Sequence, residues 1–235
     1  PYSPTNPPLL YPLPAVLLLV PLTPLPDPLA AGVFVGLSTA LLGWGLRRTD
    51  WLVLLSAPFW QAVITAQWSI LLTAALLLPA LGPLLACKPT TGLPIVAVRP
   101  RAALPALVVA LLSLVVLPSW PIDWLANTRA APQQIAALLF PPLLLAALRW
   151  RQPQARILLA LSVAPVRLLW YDSLSLYFAC PTPPSRLVWV VCGWAAYVAW
   201  AWAGQVNDAA PWFVLIGCYL PALVYALTPL HAKRA

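Results

Sequence analysis

The chain is a succession of long apolar runs, and nearly every positive charge falls in the gaps between them. Runs of this length are stable only when buried against one another or against lipid. There are also too few polar residues to coat a water-soluble globule: 62% of residues are apolar and 8% are charged, where a soluble domain carries roughly a quarter charged residues. The runs are continuous rather than alternating, which points to helices and away from barrel strands. The expected fold class is therefore all-α, a polytopic transmembrane helical bundle. At 235 residues there is room for about eight spans of roughly 20 residues each, broken or re-entrant helices included. No loop is long enough for a separate soluble domain. The whole chain, 1–235, is expected to be one integral-membrane domain. Within it, 1–26 would be a Pro-rich outer segment with a re-entrant or interfacial helix, 28–228 the bundle, and 229–235 a basic cytoplasmic tail.

The net charge is +8, but the basic residues stand at segment ends, as topology determinants do, so nucleic acid is not an expected partner. Cys87, Cys180, Cys192 and Cys218 lie in or beside apolar runs without CxxC spacing and read as inert buried thiols. With one histidine, His231, a histidine-based metal site is not expected, and no cofactor is implied. Glutamate is absent, so any carboxylate chemistry must come from Asp27, Asp50, Asp123, Asp172 or Asp208. The chain starts at Pro1, lacks methionine and shows no signal-peptide pattern. The native N-terminus is therefore expected to be missing or processed.

Hydropathy marks apolar stretches at Leu9–Val20, Pro28–Leu46, Trp51–Thr65, Trp68–Cys87, Ala102–Leu117, Pro132–Leu148, Ile157–Cys180, Leu187–Ala203 and Ala209–Leu227. The stretch Ile157–Cys180 decides the orientation. Broken into two half-helices around Tyr171-Asp172, it puts Arg47, Arg48, Lys88, Arg99, Arg101, Arg149, Arg151, Arg156, Arg186, Lys233 and Arg234 on one side, which the positive-inside rule prefers. Arg167 then lies at membrane depth. The opposite, outer side receives Asp27, Gln67, Trp68, Asp123, Asp172 and Asp208, and the C-terminus is cytoplasmic.

Asp172 is the main candidate for chemistry, because a carboxylate inside an apolar run must be paired or face water. Arg167, five residues earlier, could pair with it and pin the bundle; the other reading is a polar site for an anionic or hydroxyl-rich ligand. Gln61 and Gln67 stand beside Trp60 and Trp68 at the turn of a hairpin. Amides next to indole rings suit carbohydrate recognition, although tryptophans at a membrane interface commonly serve as anchors. Pro118-Ser119-Trp120-Pro121-Ile122-Asp123-Trp124 reads as a proline-rich outer turn. Lys88-Pro89-Thr90 and Arg99-Pro100-Arg101 read as inner contacts to lipid head groups.

Several of these stretches together resemble one family. Asn6-Pro7-Pro8-Leu9-Leu10-Tyr11-Pro12-Leu13-Pro14 is similar to a Y-P-x-P segment near the start of bacterial polyprenyl-phosphate-dependent glycosyltransferases, membrane enzymes of the GT-C type often labelled mannosyltransferase-like. Ala66-Gln67-Trp68, Cys87-Lys88-Pro89-Thr90-Thr91-Gly92-Leu93, Pro118-Ser119-Trp120-Pro121, Arg149-Trp150-Arg151 and Tyr171-Asp172-Ser173-Leu174 follow in the family's order, over roughly residues 6 to 180. The resemblance implies a bacterial inner-membrane enzyme that moves a sugar from a polyprenyl-phosphate donor to an acceptor at the outer surface. It carries over Tyr11, Gln67 and Lys88 as site-lining residues; Trp68, Arg167 and Asp172 join them from the residue-level reading. In that family an aspartate in the first outer loop is the general base. That loop precedes the Y-P-x-P segment and would fall before Pro1, which leaves the catalytic residue of this chain unassigned. Membrane lipid and the lipid-linked donor are the expected partners. Two other functions fit the same residues: a non-catalytic subunit contacting protein partners in a larger membrane complex, and a small-molecule transporter built on the broken Arg167–Asp172 region.

Overall fold

The computed structural model describes residues 10–130, 133–205 and 209–228. The expected tail at 229–235, the segment Pro1–Pro8 and Asp208 lie outside them. The described chain is helical almost throughout. Its one strand pairing is a two-residue antiparallel bridge, Gln134–Ile135 with Pro165–Val166.

Prolines set much of the segmentation, since each removes a backbone donor and is tolerated best in a first helical turn. α1 (Leu13–Leu19) starts after Pro12 and passes through a 3₁₀ turn, Val20–Leu22, towards α2 (Asp27–Gly45), which has Pro28 in its first turn. A 3₁₀ segment, Trp51–Leu55, leads to α3 (Ala57–Ile64), whose N-terminus is capped by Ser56 Oγ accepting from Phe59 N. α4 (Ser69–Leu77), a 3₁₀ segment Pro79–Cys87 and α5 (Pro89–Val98) follow. Next come α6 (Ala103–Val116), α7 (Trp120–Ala130), α8 (Ala136–Leu139) and the 3₁₀ segment Pro141–Arg149. α9 (Pro153–Val163) ends before Pro165; beyond the break lies a 3₁₀ segment, Trp170–Ala179. α10 (Pro183–Trp202) and α11 (Ala210–Leu227) complete the bundle.

Among the described residues two helices, α2 and α11, are long and apolar enough to cross a membrane; a third crossing results if Pro100–Val116 and Trp120–Arg129, bent by 105°, count as one. α10 is as long, at 20 residues, but less apolar; the other apolar runs among the described residues are shorter or broken. Trp68–Cys87, expected as one span, is two segments that reverse at Leu78. A single helix of that length would separate its ends by about 30 Å, yet Gln67 and Lys88 line the same cavity. Pro118–Trp124, expected as a turn, carries the start of α7 instead, with Pro121 in its first turn.

Charge is distributed unevenly along the bundle. At one end, Arg99 reaches the carbonyl of Leu77 (3.5 Å), Arg156 that of Ala97 (3.1 Å) and Arg149 that of Thr228 (3.5 Å). Gly45, two residues before Arg47, packs against Leu77 at the same end. These cations occupy helix C-termini, where unpaired carbonyls and the helix dipole favour them. The core between the ends is apolar, with Leu42, Ile70, Leu72, Leu158, Leu161, Leu174 and Trp189 fully buried.

α10 and α11 approach unusually closely where α11 makes a π turn, Leu215–Tyr219. A Cβ on Gly217 would lie 2.6 Å from the Ala196 Cβ and 3.1 Å from the Cys192 carbonyl. Trp189 Nε1 donates to the Cys218 carbonyl (2.9 Å) across the same contact. Gly217→Ala is therefore expected to destabilise the protein by about 1–3 kcal/mol through overpacking, seen as a lower thermal midpoint in detergent. An unchanged midpoint would show that the helices do not meet this closely.

Candidate functional site

Five of the six candidate residues, spread from Tyr11 to Asp172, meet at one cavity of about 280 Å³. Tyr11 precedes α1, Gln67 lies between α3 and α4, and Lys88 immediately precedes α5. Arg167 comes from the break after α9, and Asp172 from the 3₁₀ segment that follows it. The sixth, Trp68, is buried behind the cavity, with its ring against Phe34 (5.0 Å between centroids) and Tyr11 (6.4 Å). Trp68 is thus buried among aromatic neighbours and not exposed as an interfacial anchor would be. Phe34 is seven residues into α2, so this level lies about 10 Å along the helix from Asp27.

The polar contacts are specific. Lys88 Nζ donates to Asp172 Oδ1 at 2.7 Å, and both side chains are mostly buried, 16% and 3% exposed. The same ammonium stands 5.0 Å from the centre of the Tyr171 ring, a cation–π contact. Tyr11 OH donates to Gln67 Oε1 (2.9 Å), and Gln67 Nε2 donates to the Thr65 carbonyl (3.1 Å).

Two expectations need correction here. Asp172 pairs with Lys88 and not with Arg167, which lines the same cavity nearby. Lys88 and Asp172 were expected on opposite faces; a 2.7 Å contact puts them at one level, and α5 carries the chain from Lys88 to Arg99 at the basic end. Lys88 therefore lines the same cavity as Asp172 rather than facing away from it.

Backbone strain collects at the cavity. Among the described residues three non-glycine residues have positive φ, and two of them adjoin cavity residues: Ala66 (φ 48°) before Gln67, and Leu168 (φ 50°) after Arg167. Such conformations cost about 1–3 kcal/mol each and persist where surrounding packing imposes them, often at ligand sites. Leu168 is fully buried, which supplies that packing.

The structure adds cavity residues that the sequence reading did not nominate: Tyr171, Trp124, Thr128 and Gln133. Trp124 comes from α7 and donates from Nε1 to the Leu10 carbonyl (3.0 Å), tying α7 to the segment before α1. Gln133 Nε2 donates to the Thr128 carbonyl (3.0 Å). The available signal for Gln133 was an amide pair, Gln133-Gln134, heading an apolar run, where uncharged polar groups need partners.

A second cavity, a groove of about 500 Å³ between α1, its 3₁₀ extension and α2, shares Tyr11 and Gln67 as walls. Its other walls are mainly apolar, including Val16, Leu19, Ala30, Phe34 and Trp68. The site is thus bipartite: a polar chamber with two cations and one carboxylate, joined through Tyr11 and Gln67 to an apolar groove. Among the described residues no cluster of His, Cys, Asp or Glu is arranged to hold a metal ion. No protein-family model, curated protein or solved structure matches this chain.

Proposed function

We propose that this chain is a GT-C type membrane glycosyltransferase, transferring a sugar from a polyprenyl-phosphate donor to an acceptor at the outer face of a bacterial cytoplasmic membrane, in a polytopic fold with a cytoplasmic C-terminus. The observation that carries the reading is the bipartite site. A lipid-linked sugar phosphate is an anion and a set of hydroxyls joined to a long apolar chain. The chamber offers Lys88 and Arg167 to the anion and Gln67, Tyr11 and Gln133 to hydroxyls, and the groove offers apolar walls to the chain. Arg167 supplies a planar donor fork and Lys88 a point charge, which are complementary ways to hold a phosphate.

In this reading the acceptor hydroxyl attacks the anomeric carbon, the bond from that carbon to the phosphate oxygen breaks, the hydroxyl's proton passes to the departing phosphate, and polyprenyl phosphate leaves. Negative charge on the phosphate grows as the bond breaks, so Lys88 and Arg167 stabilise the transition state more than the bound donor. Asp172 is not the base here. It holds the Lys88 ammonium in place and limits the chamber's net charge.

The test is binding before transfer. Tryptophan fluorescence of the purified chain in lipid nanodiscs is titrated with polyprenyl phosphate and with the uncharged polyprenol. At least tenfold tighter binding of the phosphate is expected; equal binding would sink the reading. Transfer is then assayed with radiolabelled polyprenyl-phosphate monosaccharides. Phosphate-selective binding without transfer from any donor would favour a non-catalytic subunit.

A further inference from the structure

A second small space of about 10 Å³ lies beside Asp172 and shares Tyr171 and Asp172 with the main chamber as walls. It is walled by Ser69, Thr73, Thr91, Asp172 and Ser175, with Leu72, Ile95 and Tyr171 closing the rest. All five polar side chains are more than nine-tenths buried, at 4%, 2%, 6%, 4% and 6% exposed respectively. Ser69 Oγ is buried and has no hydrogen-bond partner among the described residues. A buried hydroxyl without a partner, such as Ser69 Oγ, is costly unless something inside the space satisfies it.

The hydrogen-bond directions define the occupant. Thr73 Oγ1 already donates to the Ser69 carbonyl (2.6 Å), and Thr91 Oγ1 to the Lys88 carbonyl (3.4 Å). Both hydroxyls can therefore act on the void as acceptors only, and the Asp172 carboxylate is an acceptor as well. The occupant must donate at least two hydrogen bonds or carry positive charge, and it must also accept from a hydroxyl such as that of Ser69. Charge decides against a cation. Asp172 is already neutralised by Lys88 at 2.7 Å, and Arg167 lines the chamber beside them. A monovalent ion would add an uncompensated buried charge. A water molecule donates two hydrogen bonds and accepts two, and a void of this volume holds one.

We propose that the void is a binding site for a single structural water. The water bonds Ser69 Oγ and the Asp172 carboxylate, giving that carboxylate a second partner beside Lys88. This site does not depend on the glycosyltransferase reading, since it concerns how Asp172 is held, whatever ligand the chamber takes.

The sign of one substitution tests it. If the void were dry, Ser69 would be an unsatisfied buried hydroxyl and Ser69→Ala would remove a penalty, leaving the thermal midpoint unchanged or higher. With the water present, Ser69→Ala removes one of its partners, and a midpoint lower by about 2–4 °C is expected for a chain of this size. A high-resolution structure of the purified protein in choline chloride buffer supplies the direct readout. One density peak at about 2.7–3.0 Å from Ser69 Oγ and an Asp172 carboxylate oxygen is expected. An empty void overturns the proposal. So does a peak that appears only in sodium buffer, or a midpoint that rises with sodium at constant ionic strength, because either assigns the site to a cation.

Discussion

Lys88→Ala is expected to abolish phosphate-selective lipid binding and to destabilise the fold by about 3–5 kcal/mol, the cost of leaving a buried carboxylate without its counterion. Both effects trace to one contact, Lys88 Nζ to Asp172 Oδ1 at 2.7 Å, with the carboxylate side chain 3% exposed. Loss of function would then be ambiguous, since a misfolded chain also fails to bind. The double variant Lys88→Met/Asp172→Leu resolves this. Replacing a buried ion pair with apolar groups of similar size is often neutral or stabilising, so its thermal midpoint should return close to wild type while selectivity for polyprenyl phosphate over polyprenol stays lost. Asp172→Asn gives the reciprocal result. It keeps the ammonium and a hydrogen-bonding partner, and selective binding should survive. If Lys88→Ala bound polyprenyl phosphate as tightly as wild type, the cation would be structural only and the proposed donor site would be wrong.

How much of this was legible in the sequence depends on which physical signal carried it. The all-α class followed from continuous apolar runs, and the structure is helical almost throughout. The break in Ile157–Cys180 was legible because a single helix there would have split the positive charges between the two sides. It falls just upstream of Tyr171-Asp172 because Pro165 cannot donate the next helical hydrogen bond. Tyr11, Gln67 and Lys88 were expected to line a site because of the family resemblance, and Arg167 and Asp172 because they are charges within an apolar run. All five line one cavity, but Lys88 was not expected as the partner of Asp172. Counting positive charges treats every lysine as a marker of one membrane face, and Lys88 is instead consumed by a carboxylate 84 positions away. Hydropathy has the same blind spot for reversals. Trp68–Cys87 has the length and composition of one span, and only the extended Leu78 followed by Pro79 marks where it doubles back. A windowed average cannot register a reversal within a run that is apolar on both sides of it.

The second large effect is expected at the far end of the segment that carries Asp172. Trp170–Ala179 is a 3₁₀ segment, a conformation with poorer hydrogen-bond geometry than an α-helix, so its position depends on what grips its ends. Lys88 grips it at Asp172. At the other end Arg186 donates from Nη1 to Asp50 Oδ1 and from Nε to the Cys180 carbonyl (3.1 Å), and its guanidinium lies 5.3 Å from the centre of the Tyr177 ring. Thr49 Oγ1 adds a contact to the same Asp50 oxygen (3.2 Å). The Arg186 and Asp50 side chains are 14% and 7% exposed. Asp50→Leu alone strands a buried guanidinium, and a loss of about 3–5 kcal/mol is expected, a fall of roughly 10 °C in thermal midpoint for a chain of this size. Asp50→Leu/Arg186→Leu should recover most of that loss. The pair lies about 14 Å from Asp172 along the segment, at 2.0 Å rise per residue over the seven residues to Ala179, so it touches nothing in the chamber. Any weakening of polyprenyl-phosphate binding that persists in the stable double variant must therefore travel through the segment itself, by letting Asp172 drift from Lys88. Binding equal to wild type in that variant would mean that the Lys88 contact alone positions Asp172 and that the Arg186–Asp50 pair serves only to hold the basic end of the bundle together.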